Sequence, residues 1–78
     1  MAIELPARYI KALESRYQAL IDEGIAVIDL YLSRSAGIGD HSNVLDIIDD
    51  NIQLVETNTA KLNLLKTVFQ QPEATENT

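Results

Sequence analysis

The sequence predicts an all-α fold, a two-helix antiparallel hairpin. Three observations lead there: long heptad-like apolar patterns on either side of the middle, one interior cluster of turn residues, and a composition poor in glycine and proline. The turn cluster is Ser33–Asn43, S-R-S-A-G-I-G-D-H-S-N. Gly37 and Gly39 accept the backbone values that end a helix, and Asp40, Ser42 and Asn43 are residue types that cap the next one. The expected layout is helix 1 over about 6–34, a loop over about 35–42 and helix 2 over about 43–70. Together these form one domain over 1–71, with a disordered polar tail over 72–78.

Helix 1 opens at Pro6, a residue suited to a first helical turn because its missing N–H has no partner there anyway. Its apolar seam runs Ile10, Leu13, Tyr17, Leu20, Gly24, Val27, Tyr31, a 3-4 alternation that keeps one stripe facing a neighbour. A second row, Ile21, Ile25, Ile28 and Leu32, joins it towards the tip. The two rows cover roughly 160° of the helix, more than one neighbouring helix hides. Gly24 costs about 1 kcal/mol in mid-helix; a close helix–helix approach accounts for it, and so does a local kink.

Helix 2 is expected to begin between Asp40 and Asn43, with Asp46, Asp49 and Asp50 in its first two turns favouring the positive end of the helix dipole. Its seam is read as Val44, Ile48, Ile52, Val55, Thr59, Leu62, Phe69, flanked by Ile47, Leu54, Leu65 and Val68. Asn58 and Thr59 form an expected polar layer with Asn51 at its edge, a device that sets register or oligomeric state. Pro72 stops the helix after Gln70-Gln71.

Seventy-eight residues, 46% of them apolar and none of them cysteine, make one small folded domain without a disulfide or thiolate–zinc staple. A core of this size supplies only about 3–5 kcal/mol, so oligomerisation or docking on a partner is expected. The simplest remedy is a homodimer forming a four-helix bundle. The expected self-association or partner interface is Leu20, Ile21, Gly24, Ile25, Val27, Ile28, Tyr31 and Leu32 of helix 1. Ile47, Ile48, Leu54, Val55, Leu62 and Leu65 of helix 2 complete it.

The net charge is −6. It opposes direct nucleic-acid binding, which relies on Lys and Arg at phosphates, and adhesion to an anionic membrane. No basic region precedes an apolar run at the N-terminus, and the longest apolar stretch, Gly24–Ile28, is far below the ~20 residues of a membrane span. A cytoplasmic location is expected. The charge is also polarised: residues 20–56 carry −7, residues 1–19 with 57–70 carry +3, and the tail −2. The acidic tip comprises Asp22, Glu23, Asp29, Asp46, Asp49 and Asp50. Pairing the tip of one hairpin with the base of another would bring opposite charges together, which favours a tip-to-base antiparallel dimer.

Little in the chain suggests catalysis. From Asp40 the acidic run departs from a calcium loop, having Leu45 where the sixth position requires glycine. One histidine, His41, makes no zinc set, and no Glu-x-x-His pair supports a di-iron bundle. Gly37-x-Gly39 lacks the Lys-Ser/Thr of a phosphate loop. Ser33, Ser35 and Ser42 lack a scaffold of convergent bases, and Tyr9, Tyr17 and Tyr31 fit the edge of a core. No enzyme activity, metal or cofactor is predicted.

The segment Gly37, Ile38, Gly39, Asp40 and His41, placed between two acidic helices, resembles that of small uncharacterised proteins of tailed bacteriophages, especially those of cyanobacterial hosts. There a G-[IV]-G-[DE]-H segment joins the helices. The resemblance implies a viral origin, hence the host cytoplasm, and no particular activity or site residues. The expected function is a non-enzymatic protein–protein interaction module that self-associates and binds a host or phage protein. Two alternatives stand beside it: an acidic nucleic-acid mimic that inhibits a basic host protein, and a structural component of a virion.

Overall fold

The computed structural model describes residues 3–34 and 43–70; the turn glycines, Asp40, His41, Ser42 and the tail lie outside them. The described chain is an all-α hairpin of two long helices, α1 (Ala7–Arg34) and α2 (Val44–Thr67). A two-residue strand lies at each outer end, β1 (Ile3–Glu4) and β2 (Phe69–Gln70). The molecule measures 53 × 19 × 18 Å. Such a rod follows from 28 residues rising 1.5 Å each, with one helix folded back along the other.

The helices run antiparallel. Gly24 meets Asn51 and Val55, Lys61 sits over Tyr17, and Leu13 shares a cleft with Leu65, so partners on α2 recede as α1 advances. The 3-4 stripe of α1 faces inward as its spacing predicts. Ile10 and Gly24 are buried, and Leu13, Tyr17, Leu20, Val27 and Tyr31 are half-buried.

On α2 the seam keeps Val44, Ile48, Val55 and Leu62 of the expected one and departs from it at two positions. Asn51 and Asn58 face inward, whereas Ile52 and Thr59 are exposed. Val44, Asn51, Asn58 and Leu65 are seven residues apart, and Ile47, Leu54, Val55 and Leu62 fill the positions between them. The physical reason sits on the opposite helix. Gly24 has no side chain, so the α2 backbone approaches until a Cβ built there would lie 3.1 Å from the Asn51 carbonyl oxygen and 2.6 Å from Val55 Cγ2. This close approach, rather than a kink, explains the mid-helix glycine.

The polar layer is correspondingly Asn51 and Asn58, without Thr59. Each amide bonds within its own helix, Asn51 Nδ2 donating to the Ile47 carbonyl and Asn58 Nδ2 to that of Leu54, both at 2.8 Å. Asn58 is only 3% exposed, and its Oδ1 finds no hydrogen-bond donor among the described residues.

Both ends of the helices differ from expectation. Pro6 stands just before α1 rather than in its first turn; its carbonyl accepts from the N–H groups of Tyr9 (2.9 Å) and Ile10 (3.2 Å). Asn43 precedes α2 with helical dihedrals (φ −95°, ψ −9°) and makes no side-chain capping bond, so the cap expected of it is absent. Helix 2 ends at Thr67 instead of 70, the Val68 N–H still donating to the Leu64 carbonyl at 2.8 Å.

Phe69 and Gln70 are extended because they pair in parallel with Ile3 and Glu4. A parallel partner for a strand that continues from α2 obliges the chain to reverse after Glu4, and Leu5-Pro6 makes that reversal. The pair closes the base, where Leu5 and Phe69 join Leu13, Tyr17, Leu64 and Leu65 around an apolar cleft.

Candidate protein interface

Two helices bury little. Among the described residues only Ile10, Gly24, Asn58 and Leu65 are buried, while several large apolar side chains remain exposed. Their distribution is not random. Ile25 (52% exposed) and Leu32 (66%) lie one heptad apart on α1, and Leu45 (76%) and Ile52 (51%) one heptad apart on α2. Ile21 and Ile28 interleave with the first pair, and Ile48 and Val55 with the second, all half-buried. Each set is therefore a continuous stripe along the edge of its seam.

Both stripes occupy the same side of the hairpin. Glu14, Gln18, Leu62 and Lys66 line one groove between the helices near the base. From Gln18 the sequence Ile21, Ile25, Ile28, Leu32 continues that edge of α1 at 3-4 spacing. From Lys66 the sequence Leu62, Thr59, Val55, Ile52, Ile48, Leu45 continues that edge of α2. The antiparallel register sets Ile25 level with Ile52 and Leu32 level with Leu45. This side of the hairpin thus changes character along its length. Its basal groove is polar, with Glu14, Ser15, Gln18, Asp22 and Lys66, and over the tip half its exposed side chains Ile25, Leu32, Leu45 and Ile52 are apolar.

Acidic residues border the apolar half. Helical spacing puts Asp22 and Asp29 on the outer margin of the α1 stripe and Asp49 and Glu56 on that of α2, all four exposed. Gln18 Nε2 donates to Asp22 Oδ1 at 3.1 Å. Glu23, Asp46 and Asp50 are exposed towards the far side of the molecule.

The residues expected at an interface therefore divide into three groups. Gly24 and Leu65 are enclosed between the two helices of the one chain and offer no surface to a partner, a correction to their assignment. Leu20, Val27, Tyr31, Ile47, Leu54 and Leu62 are half-buried in the seam. Ile21, Ile25, Ile28, Leu32 and Ile48 form the outward face, and Val55, packed against Gly24, stands where seam and face meet. Sequence reasoning missed Leu45 and put Ile52 inside; their seven-residue spacing, in step with Ile48 and Val55, was the available signal. Leu30, Leu64 and Tyr9 are exposed elsewhere, away from this face.

Among the described residues no group of three His, Cys, Asp or Glu converges to hold a metal ion. No described helix is long and apolar enough to cross a membrane. No protein-family model, curated protein or solved structure matches the chain.

Proposed function

We propose that the protein is a non-enzymatic protein–protein interaction module that presents the apolar face of its tip half to another protein surface. One observation carries this reading. Ile25, Leu32, Leu45 and Ile52 stand exposed side by side on one face, while the other exposed large apolar side chains among the described residues, Tyr9, Leu30 and Leu64, are scattered. Burying such side chains is worth about 1.5–3 kcal/mol each when complete, and a contiguous patch of this kind on a small protein marks an interaction site. Pairing of two hairpins into a four-helix bundle is one form of the reading, and docking of a different chain is the other. A pure phosphate mimic is less well supported, because it has no use for apolar side chains between its carboxylates.

The test is site-specific photocrosslinking in the native host. A benzophenone amino acid in place of Ile52 should capture a protein, whether a second copy or another chain. The same probe in place of Thr57, exposed on the far side, should capture nothing above background. Equal yields at the two positions, or none at either, would overturn the reading.

A further inference from the structure

We infer that the apolar face of the tip half receives a short amphipathic helix with basic flanks, about three turns long, supplied by another protein. This rests on the interaction-module reading and adds the chemistry of the partner. Two requirements come from the molecule. The occupant must be apolar where it meets the stripes Ile21–Leu32 and Leu45–Val55, and it must tolerate or neutralise the carboxylates of Asp22, Asp29, Asp49 and Glu56 at the margins.

A second copy of this chain meets only one requirement at a time. Laid tip on tip, the apolar faces match, but the carboxylates of Asp22, Asp29, Asp49 and Glu56 that border each face come together. Laid tip to base, −7 meets +3, but the apolar face then lies on the polar stretch of Glu14, Ser15, Gln18 and Lys66. An isologous contact uses the same patch on both subunits, so no symmetric register escapes the conflict.

A helix with apolar residues at i, i+3, i+4 and i+7 and Lys or Arg on both shoulders satisfies both conditions. The stripe from Ile21 to Leu32 is about 17 Å long at 1.5 Å per residue, which sets the length of the occupant near 12 residues.

The experiment titrates the full chain with three fluorescent peptides of that length: an amphipathic Leu/Lys helix, the same pattern with Glu replacing Lys, and a scrambled Leu/Lys peptide of identical composition. The amphipathic cationic peptide should bind at least roughly tenfold more tightly than either of the others. Its affinity should fall roughly tenfold as salt rises through the range where exposed charges become screened. It should also fall on Ile25→Ser with Ile52→Ser, two exposed positions whose replacement should leave the helical circular dichroism intact.

Equal binding of the scrambled cationic peptide would show that charge alone acts and would overturn the inference. So would equal binding of the anionic peptide. Light scattering of the free chain separates the two claims. A concentration-dependent dimer abolished by Ile52→Ser would make a second copy the occupant, defeating this inference while leaving the interaction module standing. Failure of all peptides in a chain that also yields no Ile52 crosslink would remove both.

Discussion

Replacing Gly24 by alanine opposes two effects whose sizes the structure sets. Alanine is a better helix former than glycine by about 1 kcal/mol, and Gly24 lies in mid-helix at an ordinary backbone conformation, so local propensity favours the variant. The new methyl, however, would lie 2.6 Å from Val55 Cγ2, 3.1 Å from the Asn51 carbonyl oxygen and 3.6 Å from Leu54 Cδ2. Valine is stiff at χ1 and the carbonyl belongs to the helical backbone, so neither moves without displacing α2. Overpacking of this kind costs about 1–3 kcal/mol. The net expectation is a loss of about 1 kcal/mol, or a fall in Tm of about 4–8 °C for a chain of this size.

Thermal melts followed by circular dichroism, at matched protein concentration because association shifts Tm, measure the effect. Val55→Ala supplies the control. It should destabilise the parent but cost far less in the Gly24→Ala background, with a coupling of about 1 kcal/mol. A Gly24→Ala variant that melts above the parent, as a solvent-facing helical glycine would, refutes the close approach as the reason for this residue.

Three further outcomes are expected. Asn58→Leu removes a buried acceptor that has no donor among the described residues; since such a group costs about 1–3 kcal/mol, denaturant unfolding should show a gain of about 1 kcal/mol, and a loss would mean that Oδ1 is satisfied. Phe69→Ala empties one wall of the basal cleft and should lower stability by about 1–2 kcal/mol; hydrogen exchange should then speed up at the amides that link β1 and β2, and unaltered exchange would show that the pair stands without the side chain. Ile28→Asp puts a charge at a half-buried position of the face and should cost about 2 kcal/mol or more, whereas Ile52→Ser, at an exposed one, should stay within about 0.5 kcal/mol; equal effects in urea titrations would contradict the difference in burial between the two positions.

Fold class, the antiparallel hairpin and the inward stripe of α1 were all legible in the residues. A 3-4 alternation from Ile10 to Tyr31 has no other economical explanation, because such a period keeps its stripe on one side of a helix. That the apolar arc exceeds what one neighbour hides was also readable, since the width of an arc is a property of spacing alone. The rotation of α2 was not readable. Ile52 and Asn51 are adjacent, and composition favours putting isoleucine inside. Gly24 on the other helix, whose bare backbone admits the Asn51 carbonyl and Val55 closely, fixes how α2 lies at that level. The parallel pairing of Ile3–Glu4 with Phe69–Gln70 was hidden for a similar reason. Two residues carry no periodicity, and only the folded hairpin brings the ends of the chain together.

The sequence by itself therefore determined which elements form and how much apolar surface they carry, because propensity and period act within a single helix. Tertiary structure decided which of that surface is hidden. It turned Ile25, Leu32, Leu45 and Ile52 to one side and gathered them into a single face, since the direction a stripe faces depends on the shape of the helix lying opposite.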